Sequence, residues 1–202
     1  GIMDLRTIDC DEIRKQDDFR RIPKAEFDFE AWFESFDKNS AMLLEHSLMS
    51  AVDIAKAKAV LSGGLQESRM IFSCGDYYPR NIIKTAEGRL VLRDWEGWSG
   101  DYRVNFIDHE ENIMAFAYIH MWNNYLWQRS FLESLQKRLT IDPHNFQKAL
   151  MIKSFDQAFL WNPIERQNLM PLFLAQMQLF SNALNFEYIR KLFAFTKPKF
   201  RL

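Results

Sequence analysis

The stretch Cys74-Gly75-Asp76-Tyr77-Tyr78-Pro79-Arg80-Asn81-Ile82-Ile83, followed by Leu92-Arg93-Asp94-Trp95-Glu96, decides how this chain is read. Between the two halves, Ile82-Ile83-Lys84-Thr85 and Arg89-Leu90-Val91-Leu92-Arg93 flank Glu87-Gly88. Two short apolar runs around a Gly-containing turn predict a β-hairpin. A hairpin brings its two open ends together. Asn81 at the start of the first strand should therefore face Asp94 at the end of the second, with Asp76 on the loop leading in. Two carboxylates and an amide oxygen at one loop end suit a hard divalent cation such as Mg²⁺, which takes oxygen ligands and draws the rest from phosphate and water. Phosphoryl transfer needs such a metal and a group that accepts the proton of an acceptor hydroxyl. One Asp can hold the metal while the other orients the hydroxyl.

The segment resembles the pattern H-G-D-x-x-P-x-N followed by D-W-E, which marks aminoglycoside phosphotransferases and their choline kinase-like relatives. That pattern is a variant of the H-R-D-x-x-x-x-N and D-F-G pair of protein kinases. Asp76 and Asn81 are five apart, as in both patterns. The resemblance implies Asp76 as the catalytic base or hydroxyl-orienting residue. It implies Asn81 and Asp94 as Mg²⁺ ligands and ATP-binding residues. Taken singly, each of these residues is more often turn chemistry or a cap; their joint spacing around a hairpin is what carries the resemblance.

The departures are equally specific. Cys74 stands where the family has His, a residue that holds the loop. Cys is smaller and a weak donor, which bears on loop rigidity more than on proton transfer. A reactive thiol is the lesser reading of Cys74, because no neighbouring His or cationic cluster depresses its pKa. Downstream, Gly100-Asp101-Tyr102-Arg103-Val104-Asn105-Phe106-Ile107 follows the family's G-D-x-x-x-D-L-A, with Asn105 in place of the second Asp and Asp108 a candidate substitute one turn later.

Around this centre the chain reads as helix. Phe29, Trp32, Phe33 and Phe36 have helical spacing. Leu44, Leu48, Ala51, Ala55 and Ala59 predict a second helix with those residues on its inner face, ended by Gly63-Gly64. Met70-Ile71-Phe72 is a short apolar run. After Gly100 the chain is expected to stay helical. Phe106, Ile113, Phe116, Ala117 and His120 form one stripe; Phe146, Leu150, Phe155 and Phe159 another. Leu169, Leu172, Phe173, Gln176, Leu179, Phe180 and Leu184 form the cleanest. Asp142-Pro143 suits a helix start. Residues 1–25 read as a charged lead-in, ending near Pro23. Residues 26–202 resemble the helical C-terminal lobe of a protein kinase-like fold, with catalytic and metal loops at 74–101. No run of strands precedes residue 60, so the β-rich lobe with its phosphate-covering loop and Lys is not evident. The 202 residues are expected to supply half of an active site.

Composition agrees with a packed helical body. Eighteen Phe and six Trp against seven Gly favour helices joined through large side chains. A net charge of −1 calls for neither nucleic acid nor an anionic membrane. No stretch reaches the roughly 20 apolar residues of a membrane span. Two distant cysteines do not read as a disulfide framework and point to a reducing, cytoplasmic setting. His46, His109, His120 and His144 do not cluster at ligand spacing, and packing or capping is their expected role. Trp95, Trp98, Tyr77 and Tyr78 could stack on a substrate ring or pack the core. Asp156 and Glu165 could meet a cationic substrate, with a solvated face as the default. The expected partner is a small molecule bearing a hydroxyl: a sugar, an aminoglycoside or an amino alcohol. The competing expectation is a kinase-like lobe without catalysis, used as a binding or scaffold module.

Overall fold

The computed structural model describes residues 6–21, 26–73, 81–92, 105–121, 124–160, 168 and 170–194. Two short helices, α1 (Cys10–Arg14) and α2 (Asp17–Arg20), lead in. They are followed by α3 (Phe29–Glu45) and α4 (Ala51–Leu61). The strands are β1 (Met70–Phe72), β2 (Ile82–Lys84), β3 (Leu90–Leu92) and β4 (Ile107–His109). The chain then runs through α5 (Glu110–Ile119), α6 (Tyr125–Gln136), α7 (Pro143–Leu160), α8 (Met170–Ala183) and α9 (Phe186–Ala194). The molecule is mainly helical, with small antiparallel strand pairs near its middle.

The helix starts follow from local chemistry. Asp28 accepts the Ala31 N–H at 3.1 Å, Ser50 the Asp53 N–H at 3.1 Å and Asn124 the Trp127 N–H at 3.1 Å. Asp142 takes the His144 N–H at 2.7 Å ahead of Pro143, as the sequence suggests. Each cap satisfies a donor that the first turn leaves without an intrahelical partner.

The core is an aromatic lock between α3, α7 and α8. Phe155 lies 4.8 Å from Phe36, 5.7 Å from Phe180 and 4.5 Å from Phe159, measured between ring centroids. Trp32 stacks on Phe36 at 5.5 Å. Its indole N–H donates to Asp156 at 2.7 Å, so Asp156 anchors a core ring and is not simply part of a solvated face. Helix α7 also satisfies the ends of its neighbours. Lys148 donates to the carbonyls of Ser62 and Gly64, Asn145 to that of Gln66, and Gln147 to that of Ala183. These carbonyls lie at or just past helix C-termini, where intrahelical donors run out.

Two expectations need correction. The stripe Leu44, Leu48, Ala51, Ala55, Ala59 does not lie on one helix. The chain breaks between α3 and α4, with Ser47 at φ 54, and Ser50 starts a new helix. The buried face of α4 is Ile54, Ala57 and Leu61, while Ala51, Ala55 and Ala59 are exposed. Larger side chains gain more from burial than alanines do, and they set the rotation of the helix. Secondly, the chain does not stay helical after Gly100, since Ile107–His109 forms β4 against β1. The Gly63-Gly64 ending of α4 holds. Both glycines have positive φ, and a Cβ on Gly64 would come within 3.2 Å of the Phe29 ring.

Candidate functional site

The segment that carries the motifs is an excursion closed at its base. β1 and β4 run antiparallel, with Met70 opposite His109, Ile71 opposite Asp108 and Phe72 opposite Ile107. One step further, the Ser73 N–H donates to the Phe106 carbonyl at 2.7 Å. Residues 74–105 therefore leave and return through one short ladder. On the other side of β4, the Phe27 N–H donates to the Ile107 carbonyl at 2.9 Å, and Glu26 forms a parallel bridge with Ile107.

The hairpin within the excursion forms where the sequence predicts it. Ile82 pairs with Leu92, Ile83 with Val91 and Lys84 with Leu90. The Thr85 N–H donates to the Arg89 carbonyl at 2.8 Å, and the Gly88 N–H returns to the Thr85 carbonyl at 2.9 Å. Gly88 has φ +80, which explains a glycine at this turn. Asn81 sits at the head of β2 with 1% of its surface exposed. The hairpin itself is open to solvent, with Ile82, Ile83 and Val91 exposed.

Of the three residues expected to meet at the hairpin's open end, Asn81 is the one described: it immediately precedes β2, as expected, and is buried. Asp76 and Asp94 lie outside the described residues, as do Cys74, Tyr77, Tyr78, Trp95, Trp98, Asp101 and Glu165. Among the described residues, no group of three or more His, Cys, Asp or Glu side chains could hold a metal.

Just below the base lies a polar centre that local sequence patterns do not show. Asp108, 4% exposed, is fully engaged. One carboxylate oxygen accepts the Asn112 side-chain amide at 2.7 Å and the His109 N–H at 2.7 Å. The other accepts the Lys153 ammonium at 2.7 Å. Lys153 is buried in α7, and its ammonium sits 5.2 Å from the centre of the Phe27 ring. Asp108 thus belongs to an ion pair with α7, a role that its proposed stand-in for Asn105 does not include. The clue in the sequence was Lys153 itself, a lysine within the apolar run Leu150-Met151-Ile152 and Phe155. A buried ammonium requires a partner.

Further charges flank α5. Glu110 pairs with Arg6 at 2.9 Å, and burial pushes its carboxyl pKa up while Arg6 opposes the shift. Glu111 accepts from the Ser68 hydroxyl. Two acids in the first turn also suit the positive end of the helix dipole. Arg14 forks onto Glu26 at 2.8 and 2.9 Å, tying α1 to the segment beside β4. The described part of the lead-in is mostly exposed, as expected, yet anchored.

Three histidines pack, while His46 caps the C-terminus of α3 and is exposed. His109 meets Phe27 edge-on at 5.8 Å, His120 meets Phe116 at 4.3 Å, and His144 stacks on Phe186 at 4.0 Å. Burial lowers the His109 pKa; the Lys153 ammonium adds to this, and the Asp108 and Glu111 carboxylates oppose it. Cys10 is partly buried, with its thiol pKa raised by desolvation. No helix among the described residues is long and apolar enough to cross a membrane. Comparison of the chain with protein-family models, curated proteins and solved structures gave no match.

Proposed function

We propose that this chain carries the catalytic and metal loops of an ATP-dependent phosphotransferase that phosphorylates a hydroxyl of a small molecule. The observation that carries the reading is the hairpin: it forms around the expected Glu87-Gly88 turn, with Asn81 buried at its head, and the Ser73 N–H is bonded to the Phe106 carbonyl at the base of the segment. The donor set that the motifs supply is two carboxylates and an amide oxygen, all hard oxygen ligands that fit Mg²⁺. Asn81 and Asp94 are the residues assigned to hold it. Mg²⁺, when bound, neutralises phosphate charge during transfer.

Asp76 is assigned to the acceptor. Its carboxylate orients the hydroxyl and accepts the proton as the oxygen attacks the γ-phosphorus. The bond between that phosphorus and the oxygen bridging to ADP breaks, so the phosphoryl group moves to the acceptor and ADP leaves. The substrate class spans sugars, aminoglycosides and amino alcohols. The competing reading, a kinase-like lobe used for binding without catalysis, rests on Cys74 and Asn105 in place of the family's His and Asp.

The discriminating experiment is thermal unfolding of the full-length protein with millimolar MgATP. The phosphotransferase reading expects stabilisation that requires both Mg²⁺ and nucleotide, is lost in Asp94→Ala and is retained in Asp76→Asn. A ligand present at 100 times its Kd stabilises by about 2.7 kcal/mol. No stabilisation of the wild type at millimolar MgATP rejects the reading.

A further inference from the structure

We infer that the buried Asp108–Lys153 pair is a positioning device that fixes the register of β4 against α7 and so holds the base of the motif-bearing excursion. For its effect on catalysis, the inference rests on the phosphotransferase reading. For its effect on structure, it rests on geometry alone.

Four observations support it. β1 and β4 are three residues each, too short to set their own register by pairing alone. Asp108 is the middle residue of β4, two residues beyond the Phe106 carbonyl that closes the excursion against Ser73. Its carboxylate makes three directional contacts, to Lys153, Asn112 and the His109 N–H. Lys153 in turn lies over Phe27, whose N–H is bonded to Ile107 on the far side of the same strand. One ammonium thus meets a side chain of the ladder strand β4 and one of the segment that flanks it.

An ion pair is a costly choice for stability alone. Two charges must leave water, and an apolar pair of similar volume is often as stable or more so. Around Lys153 the helix already packs through Leu150, Met151, Ile152 and Phe155. Apolar contacts are non-directional and tolerate sliding. A carboxylate with every contact assigned does not. A buried pair retained to specify one arrangement is the role such pairs fill best. Asp108 and Lys153 are positioning residues, since nothing here brings them to a substrate.

The test separates positioning from stability. Lys153→Met leaves a buried carboxylate without its cation and should unfold at lower temperature. The double variant Asp108→Asn/Lys153→Met removes both charges and stays informative if the single variant does not fold. In the double variant, amide hydrogen exchange of Ser73, β2 and β3 is expected to quicken about 10-fold, while α7 and α8 amides keep wild-type rates. Unchanged exchange in the ladder and hairpin overturns the inference, and so does equal acceleration throughout the chain. The measurement needs no nucleotide. A wild type that ignores MgATP rejects the phosphotransferase reading and leaves this result standing, whereas a wild type that binds MgATP with an unaltered hairpin in the double variant rejects the positioning role alone.

Discussion

The helical body and the strand-framed segment are held together by different physics. In the body, α3, α7 and α8 meet through Trp32, Phe36, Phe155, Phe159 and Phe180, with ring centroids 4.5–6.1 Å apart. Around the strands, the contacts are polar and directional: the Ser73–Phe106 hydrogen bond, the Asp108–Lys153 pair, Arg6 with Glu110 and Arg14 with Glu26. Aromatic packing resists unfolding but specifies position loosely. Directional bonds give less net stability but fix geometry, which a reacting site requires.

The largest effect should come from the body. Phe155→Ala empties a site 2% exposed that four other rings touch, and a loss of about 4 kcal/mol is expected in denaturant unfolding. A loss below about 1 kcal/mol would mean that the lock collapses easily and is not the main support. Next comes Lys153→Met, where stranding the Asp108 charge should cost about 3 kcal/mol in the same assay. If the loss were negligible, the polar centre would be wet and the contrast between the two regions would weaken.

Trp32→Phe tests the border between the two kinds of contact. It keeps a ring against Phe36 and removes the donor to Asp156. About 2 kcal/mol should be lost, the range for a hydrogen bond to a charged group. Asp156→Asn, which retains an acceptor, should lose less.

The smallest effect is a pH slope. Burial holds the His109 pKa below its ordinary 6.5, so the unfolded chain takes up a proton first as pH falls. Stability is therefore lost as pH drops through 6.5, and the loss levels off below the lowered folded value. Glu110 acts in the opposite sense. Its raised pKa makes the folded state hold the proton longer, so its contribution falls as pH rises above 4.5. The difference in Tm between wild type and His109→Gln from pH 7.5 to 5.5 isolates the first. A constant difference across that range would show that His109 is not held neutral.

What the sequence revealed follows the same division. The long helices were legible because their apolar residues are large and periodic, and the hairpin because Gly88 marks a turn that needs positive φ. The face of α4 was misread because alanines at regular spacing carry little burial energy beside Ile54 and Leu61. β4 was missed because Phe106, Ile113, Phe116, Ala117 and His120 read as one helical stripe running through it. Pairing with Met70–Phe72 overrides that local preference. Asp108 and Lys153 are 45 residues apart, and no local pattern joins them. Of the candidate site, the sequence supplied Asp76, Asn81 and Asp94 with their spacing. The structure adds the buried head of the hairpin, the closed base and the polar centre beneath it.

The most direct measurement is NMR line broadening of the Asn81 side-chain amide in the full-length protein on titration with MnATP. Mn²⁺ takes the same oxygen ligands as Mg²⁺ and relaxes nearby protons. Selective broadening of Asn81 and the adjoining end of the hairpin is expected, reversed by excess Mg²⁺ and absent in Asp94→Ala. Broadening centred elsewhere, or none at millimolar MnATP, would contradict a metal–nucleotide site at the open end of this hairpin.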